Sequence, residues 1–126
     1  APLYYGYGGP GEYAERSLLA RSMERVIMEK APDTVLVLMK ASRDVIAGRM
    51  KDNPHAHPVV QEKDIETVLE RFEQEYGVSW IRRKFELDTS TATVEETLVE
   101  FDAKMKPLLS QVDRTRLLAF RAMEGA

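Results

Sequence analysis

Apolar residues along this chain recur first with the period of a helix and then form a short unbroken run. Between residues 12 and 30 they fall at i, i+4, i+7 and i+8 and predict an amphipathic helix with one apolar stripe: Leu19, Met23, Val26 and Ile27. Pro32 ends that helix, and the run TVLVLM at 34–39 predicts a strand covered on both faces. Ser42 then caps a short helix that ends near Met50.

The second half of the chain contains the clearest helical pattern. A stripe at i, i+3, i+4, i+7 and i+11 predicts a helix over 62–76, with Gly77 as its breaker: Ile65, Val68, Leu69, Phe72 and Tyr76. Alternation over 84–89 predicts a half-buried strand, and Thr93 with Glu96 predicts a capping box. That helix reaches Pro107 or slightly beyond, a last amphipathic helix covers 113–123, and Trp80 is expected in the core.

Glycine and proline mark the boundaries between these elements. Residues 1–11, APLYYGYGGPG, predict a Gly/Tyr-rich loop or arm, whose tyrosines are expected to pack on something, and residues 12–126 form one α/β domain. Residues 51–60, KDNPHAHPVV, contain two prolines and predict a loop. Two strands do not make a stable sheet alone. We therefore expect further strands from another portion of the protein or another subunit, unless the fold is a helical bundle with a vestigial sheet.

Composition restricts the class of protein. The chain has 126 residues, enough for one domain, and its 44% hydrophobic content is ordinary for a globular protein. A net charge of −3 with interspersed acids and bases argues against a nucleic-acid partner. The absence of cysteine excludes disulfides and thiol catalysis. No apolar stretch is long enough to span a bilayer and the N-terminus lacks the pattern of a signal peptide, so a cytoplasmic location is predicted.

The order of residues resembles the C-terminal half of P-loop nucleoside and nucleotide kinases, the thymidylate kinase and deoxynucleoside kinase group. The resemblance covers roughly residues 14–109 and rests on the segments APDTVLVLMKAS, VIAGRM, EKDIETVLERFEQEYGVSW and FELDTSTATVEETLVEF. It implies a three-layer α/β fold in which a few parallel strands are flanked by amphipathic helices. It also implies that the loop at 51–60 is lid-like.

The resemblance assigns roles to individual residues. Arg49 matches the arginine at the lid entrance that lies over the base and phosphates, and Lys51 could assist it. Ser90, Thr91 and Ala92 match the loop whose backbone borders adenine. The triplet Glu15-Arg16-Ser17 is similar to the Glu-Arg-Ser triplet of deoxynucleoside kinases, in which the arginine contacts phosphate and the acid contacts the sugar. In that family the triplet normally lies much further ahead of the next strand.

The chain departs from this family in its phosphate-binding elements. No G-x-x-x-x-G-K-[ST] motif occurs, so the nest of N–H groups and the lysine that hold a triphosphate are missing. The lid candidate is also poor in arginine. We expect no phosphoryl transfer from this chain alone, and ATP and Mg²⁺ become cofactors only if a missing P-loop portion completes it.

Two further motifs have competing interpretations. Residues 6–11 fit G-x-G-x-x-G before a helix, which indicates a dinucleotide site, a phosphate at the helix start, or simply a structural loop. Asp52, His55 and His57 form D-x-x-H-x-H, which indicates a metal site, a pH-sensitive or substrate-contacting loop, or solvated side chains. No metal ligand is assigned. The acidic residues of 62–66 and 70–75 are expected on the wet face of a helix.

Three functions remain open from the sequence. The first is part of a nucleotide or nucleoside kinase-like protein in which Arg49 and Arg16 act on phosphate and on the acceptor side. The second is a non-catalytic α/β domain of the same ancestry that homodimerises, through strand edges or the tyrosine-rich arm, or binds another partner. The third is a small α+β binding module unrelated to kinases.

Overall fold

The computed structural model describes residues 10–56 and 60–125 and belongs to the mixed α/β class. The elements occur in the predicted order, with two 3₁₀ turns at Glu62–Asp64 and Lys106–Leu108. They are α1 Pro10–Lys30, β1 Val35–Lys40, α2 Arg43–Asp52, α3 Ile65–Val78, β2 Arg83–Asp88, α4 Val94–Met105 and α5 Gln111–Glu124. The arm predicted at 1–11 lies mostly outside the described residues, and Pro10 and Gly11 already belong to α1.

The two strands pair in parallel. Val35 pairs with Arg83, and the register continues without interruption to Lys40 and Asp88. A parallel pair needs a long crossover, and here α2 and α3 provide it. Both carboxyl ends therefore lie at the same edge of the sheet, next to the start of α2.

Both predicted helix caps are present. The Ser42 side chain accepts a hydrogen bond from Val45 N at 3.4 Å at the start of α2. Thr93 and Glu96 form the predicted capping box of α4, with backbone-to-side-chain distances of 3.0 and 3.1 Å. These side chains satisfy backbone N–H groups that have no partner inside their helices.

The prediction that Gly77 ends α3 is wrong, because the helix continues through this residue to Val78. Ser79 then adopts an extended conformation with ψ of 138°. The Ser79 hydroxyl and the Trp80 N–H both donate to the carboxylate of Glu24, each at 2.8 Å. Tertiary hydrogen bonds to α1 therefore set the end of the helix, and the glycine does not.

The core is small and lies around β2. Leu87 is 1% exposed and Ile65 is 2% exposed, and Phe85 packs edge-on against Phe101 of α4 with ring centroids 5.7 Å apart. The expected burial of Trp80 is wrong, since its side chain is 55% exposed.

The prediction that β1 is covered on both faces is also wrong. Leu38 is buried, but Met39 is 54% exposed, and the residues of 35–37 are only half-buried. β2 pairs with one edge of β1, and no strand in the described parts of the chain pairs with its other edge. An unbroken apolar run indicates what a strand can bury, not whether the covering elements are supplied by the same chain.

Helix α1 has the opposite orientation to the one that its apolar stripe suggests. Leu19, Met23 and Val26 are exposed, and only Ile27 of the predicted stripe is partly buried. The face of α1 that packs on the rest of the protein carries Glu24, which is 9% exposed. Charged side chains are rarely buried unless they are paired, and a paired cluster explains this orientation.

The buried cluster joins α1 to α3 through charges. Arg21 Nη2 donates to Glu75 Oε2 at 2.7 Å and to Glu24 Oε1 at 3.1 Å. The Tyr13 hydroxyl donates to Glu75 Oε1 at 3.0 Å, and burial together with Glu75 raises the pKa of Tyr13 to about 12. The prediction that the acids of 70–75 are all solvated is therefore wrong for Glu75, whose side chain is 11% exposed.

Candidate functional site

Polar groups tie the carboxyl ends of the two strands together. Thr89, directly after β2, donates both its N–H and its hydroxyl to the carbonyl of Lys40, at 2.7 and 3.0 Å. The backbone N–H of Ser42, after β1, donates to Ser90 Oγ at 2.8 Å. Ligands of open parallel sheets bind in the crevice outside these strand ends, so this edge is the first place to look for a site.

Arg49 of α2 reaches across this edge to Thr89. Its Nη1 donates to Thr89 Oγ1 at 3.1 Å and its Nη2 donates to the Thr89 carbonyl at 2.6 Å. The side chain is exposed, and no carboxylate in residues 10–56 or 60–125 forms an ion pair with it. A guanidinium that is held by neutral oxygens keeps its full charge for an anion such as phosphate.

Asp88 organises the loop that follows β2. Its Oδ1 accepts a hydrogen bond from Ser90 N at 2.9 Å. Hydrogen bonds from the Ser90 side chain and backbone hold the pKa of the Asp88 carboxyl below its usual value. The Asp88 carboxylate thereby holds Ser90, whose hydroxyl accepts the hydrogen bond from Ser42 N.

Asp88 is expected to titrate below its ordinary pKa of 3.8 in a carbon-detected NMR titration of the folded chain. Because folding lowers the pKa of Asp88, the ionised carboxylate stabilises the folded chain at pH values above the ordinary pKa. This stabilisation is lost as the pH falls through the lower pKa of the folded chain. Ser90→Ala should raise the pKa of Asp88, since the hydroxyl makes the largest contribution. Thr91→Ala, a change at the exposed neighbouring residue, should leave it unchanged. A wild-type carboxyl that titrates at 3.8 or above would contradict this assignment.

A cavity of about 1080 Å³ lies beside Arg49, between α2 and α3. Its walls are mostly apolar and include Ile46, Ile65 and Phe72, and its polar lining residues are Arg49, Asn53, His55, Gln61 and the acidic Glu62. Apolar walls with a few polar groups are typical of small-molecule sites. A second cavity of about 360 Å³ lies between α1, β1 and α3, next to the buried charged cluster.

The structure brings together part of the predicted site. Arg49 and Ser90 both lie at the edge formed by the strand ends, where Thr89 and Ser42 link them to β2 and β1. Thr91 and Ala92 follow in the same loop, ahead of the Thr93 cap. Lys51 is exposed in the last turn of α2.

Sequence reasoning missed Thr89 and Ser42 as partners within this edge. The sequence predicts Ser42 only as a helix cap and Thr89 only as the end of a strand. The available signal is that Thr89 directly follows β2 and Ser42 lies two residues after β1, at the carboxyl ends of parallel strands, where hydroxyl and backbone groups converge.

Glu15 and Arg16 lie on α1 and line neither of the two cavities within the described part of the chain. Glu15 is exposed, on the side of the helix away from Glu24, and Arg16 is partly buried. Their proposed contacts with sugar and phosphate therefore remain predictions that depend on a further portion of the protein.

The two alternative motifs fall largely at the limits of the described residues. His55 is exposed and His57 lies outside the described residues, as do the glycines of 6–9. Among residues 10–56 and 60–125, no three His, Asp or Glu side chains are placed to hold a metal ion. In the same ranges, no helix is both long enough and apolar enough to cross a bilayer.

Comparison with known proteins identifies no family for this chain. No protein-family model matches it, and neither a curated protein nor a solved structure has significant similarity to it.

Proposed function

We propose that this chain is the lid-side and base-side part of a three-layer P-loop nucleoside or nucleotide kinase-like protein. In this proposal the edge formed by the strand ends binds a nucleotide, with Arg49 on a phosphate and the backbone of Ser90 to Ala92 along the base. Lys51 adds positive charge at the lid entrance, and Arg16 and Glu15 face the acceptor. The chain completes a catalytic site only with a portion that carries a P-loop.

The observation that carries this proposal is the position of Arg49. Two hydrogen bonds to Thr89 fix its guanidinium at the carboxyl ends of two parallel strands, and no carboxylate in the described residues neutralises it. The loop that would border the base begins at the next residue, Ser90. The cavity beside Arg49 provides a space for a ligand on the side of α2 and α3, although residues 90–92 do not line it. The parallel pair agrees with the α/β class that the resemblance implies.

Catalysis requires groups that this sequence does not contain. A P-loop supplies backbone N–H groups, a lysine and the Mg²⁺-binding hydroxyl, and none of these occurs here in the required motif. The Arg49 site can hold phosphate charge but cannot activate a nucleophile. The isolated chain should therefore bind nucleotide without transferring phosphate.

Titration of the purified chain with a fluorescent adenosine diphosphate tests the role of Arg49. Arg49→Ala should weaken binding about tenfold, the effect of removing a charge-assisted hydrogen-bond donor. Arg49→Lys should give an intermediate affinity, because one ammonium cannot bind both Thr89 oxygens and a phosphate in the same geometry.

Arg82→Ala is the matched control, since Arg82 is an exposed arginine that directly precedes the opposite, amino-terminal end of β2. It should leave the affinity unchanged. Wild-type protein that does not bind the nucleotide, or equal affinities for wild type and Arg49→Ala, would refute the assignment of the site.

A second candidate function is a non-catalytic α/β domain that acts by homodimerisation or partner binding. Among the described residues, sixteen large apolar side chains are exposed, whereas only eight apolar residues are buried. Exposed apolar surface on this scale indicates a surface that another polypeptide covers. A kinase-like protein completed by a further portion would also cover it, so this observation alone does not distinguish the two functions.

A further inference from the structure

The second cavity, between α1, β1 and α3, has apolar side chains on all three sides. Met23 and Ile27 of α1, Leu36 of β1 and Phe72 of α3 are among the residues that line it. Ile27, Leu36 and Phe72 are each only partly buried within the chain. A molecule in the cavity would therefore cover apolar surface from three different elements at once, which is typical of a small-molecule site.

The charged residues that line this cavity, within the described part of the chain, are Arg21, Glu24 and Glu75, and they bind one another. Arg21 Nη2 donates to Glu75 Oε2 at 2.7 Å and to Glu24 Oε1 at 3.1 Å. Each of the four carboxylate oxygens accepts at least one hydrogen bond. The donors besides Arg21 are Tyr13, Ser79 and Trp80. A charged ligand would lose its water here without finding a free partner, a cost that a neutral ligand avoids.

The remaining polar atoms of Arg21 do not change this expectation. Its Nε and Nη1 have no hydrogen-bond partner, but neighbouring atoms cover both almost completely. They therefore offer almost no surface to a ligand in the cavity. The lining also has two acids against one base, and this excess negative charge further disfavours an anion.

The volume of the cavity, about 360 Å³, limits the size of the ligand. An apolar cavity of about 150 Å³ holds one benzene molecule, so this cavity has room for two fused rings. We propose that it binds a neutral, apolar molecule of about the size of a two-ring aromatic compound. Such a ligand adds apolar contacts to the junction of α1 with β1 and α3, which the charged cluster otherwise forms.

Methyl NMR of the full chain, labelled at its methionines, tests this proposal with 2-naphthalenemethanol, a neutral two-ring alcohol. Met23 and Met39 line the cavity, so their methyl signals should shift and saturate with a dissociation constant below about 1 mM. Met123 is 78% exposed on α5 and should not shift. Met50 lines only the cavity beside Arg49, so shifts at Met39 and Met50 without Met23 would place the ligand there and overturn the proposal.

Two charged analogues with the same ring system test the chemical class of the ligand. The anion 2-naphthoate and the cation 2-naphthylmethylammonium should each bind at least about tenfold more weakly than the neutral alcohol. Equal or tighter binding of either ion at the Met23 signal would show that the charges of the cluster are available to a ligand, and would overturn the assignment to a neutral molecule.

A cavity-filling variant locates the site independently. Ile27→Trp places a large side chain in the cavity from α1 and should weaken binding of the alcohol at least about tenfold. Val26→Trp is the matched control, because Val26 is the adjacent residue, is 54% exposed and does not line the cavity. It should leave the affinity unchanged, and circular dichroism should show that both variants are folded.

The titration of the wild-type chain decides the proposal even if Ile27→Trp does not fold. Absence of a saturable shift at Met23, an equally large shift at Met123, or a folded Ile27→Trp variant with wild-type affinity would each overturn it. None of these outcomes depends on nucleotide binding, since Arg49 lines the other cavity.

Discussion

Glu24→Ala is expected to lower the free energy of unfolding by about 3 kcal/mol, measured by urea denaturation. Glu24 is 9% exposed, and its carboxylate accepts hydrogen bonds from Ser79 Oγ and Trp80 N. Its Oε2 also lies 3.1 Å from Arg21 Nε, although this pair lacks the alignment of a hydrogen bond. Removing the carboxylate leaves the buried Arg21 with Glu75 alone and leaves the Trp80 N–H without an acceptor.

Two further variants separate charge from packing at this position. Glu24→Gln retains an oxygen for Trp80 N and should cost about 1 kcal/mol, less than the alanine variant. Glu29→Ala removes an acid of the same helix that is 62% exposed and paired with Arg25, and it should cost less than about 0.5 kcal/mol. If Glu24→Ala is no more destabilising than Glu29→Ala, the cluster does not join α1 to α3 as described.

Leu87→Ala is expected to cost about 3 kcal/mol, within the range for a fully buried leucine. Leu87 is 1% exposed and pairs with Met39 in the sheet register. The lost methyl groups leave a cavity next to Asp88 and Thr89, the residues that organise the edge formed by the strand ends. We therefore also expect Arg49 to lose part of its alignment.

The control is Leu118→Ala on α5, where the side chain is 67% exposed. It should change the free energy of unfolding by less than about 0.5 kcal/mol. Equal losses for the two leucines in urea denaturation would mean that the small core around β2 is not the stabilising centre of the fold.

The sequence predicts local structure well where the determinant is itself local. The Ser42 cap, the Thr93–Glu96 capping box and both strands follow from side chains within a few residues of each other. The predictions for Gly77 and Trp80 are wrong because the end of α3 depends on hydrogen bonds from Ser79 and Trp80 to Glu24, more than 50 residues earlier in the chain. Hydrogen bonds of that range leave no periodic pattern in the sequence.

The orientation of α1 also depends on long-range contacts that the sequence pattern does not predict. The most apolar stripe of an isolated helix predicts its packed face only when the chain contains everything that packs on it. Here the packed face is defined by Arg21 and Glu24, whose partner Glu75 looks like an ordinary solvated residue of α3. The predicted stripe therefore lies mostly on the exposed side of α1, and only Ile27 is partly buried.

The candidate site was only partly predictable. Arg49 came from a resemblance, and the structure adds that Thr89 holds it, a contact between residues 40 positions apart. The parallel pairing that creates this edge follows from the strand order, whereas the pairing of the Ser42 backbone with Ser90 does not. The spacing of residues in the sequence does not predict hydrogen bonds between residues that lie 40 or more positions apart.

One edge of β1 has no paired strand among residues 10–56 and 60–125, and this has a consequence for the purified protein in concentrated solution. The backbone N–H and C=O groups on this edge of VLVLMK can form hydrogen bonds with any extended chain that binds beside them. The edge contains no proline and only one charge, at Lys40, so little in the strand itself opposes such growth. We therefore expect the purified chain to associate increasingly through this edge as its concentration rises.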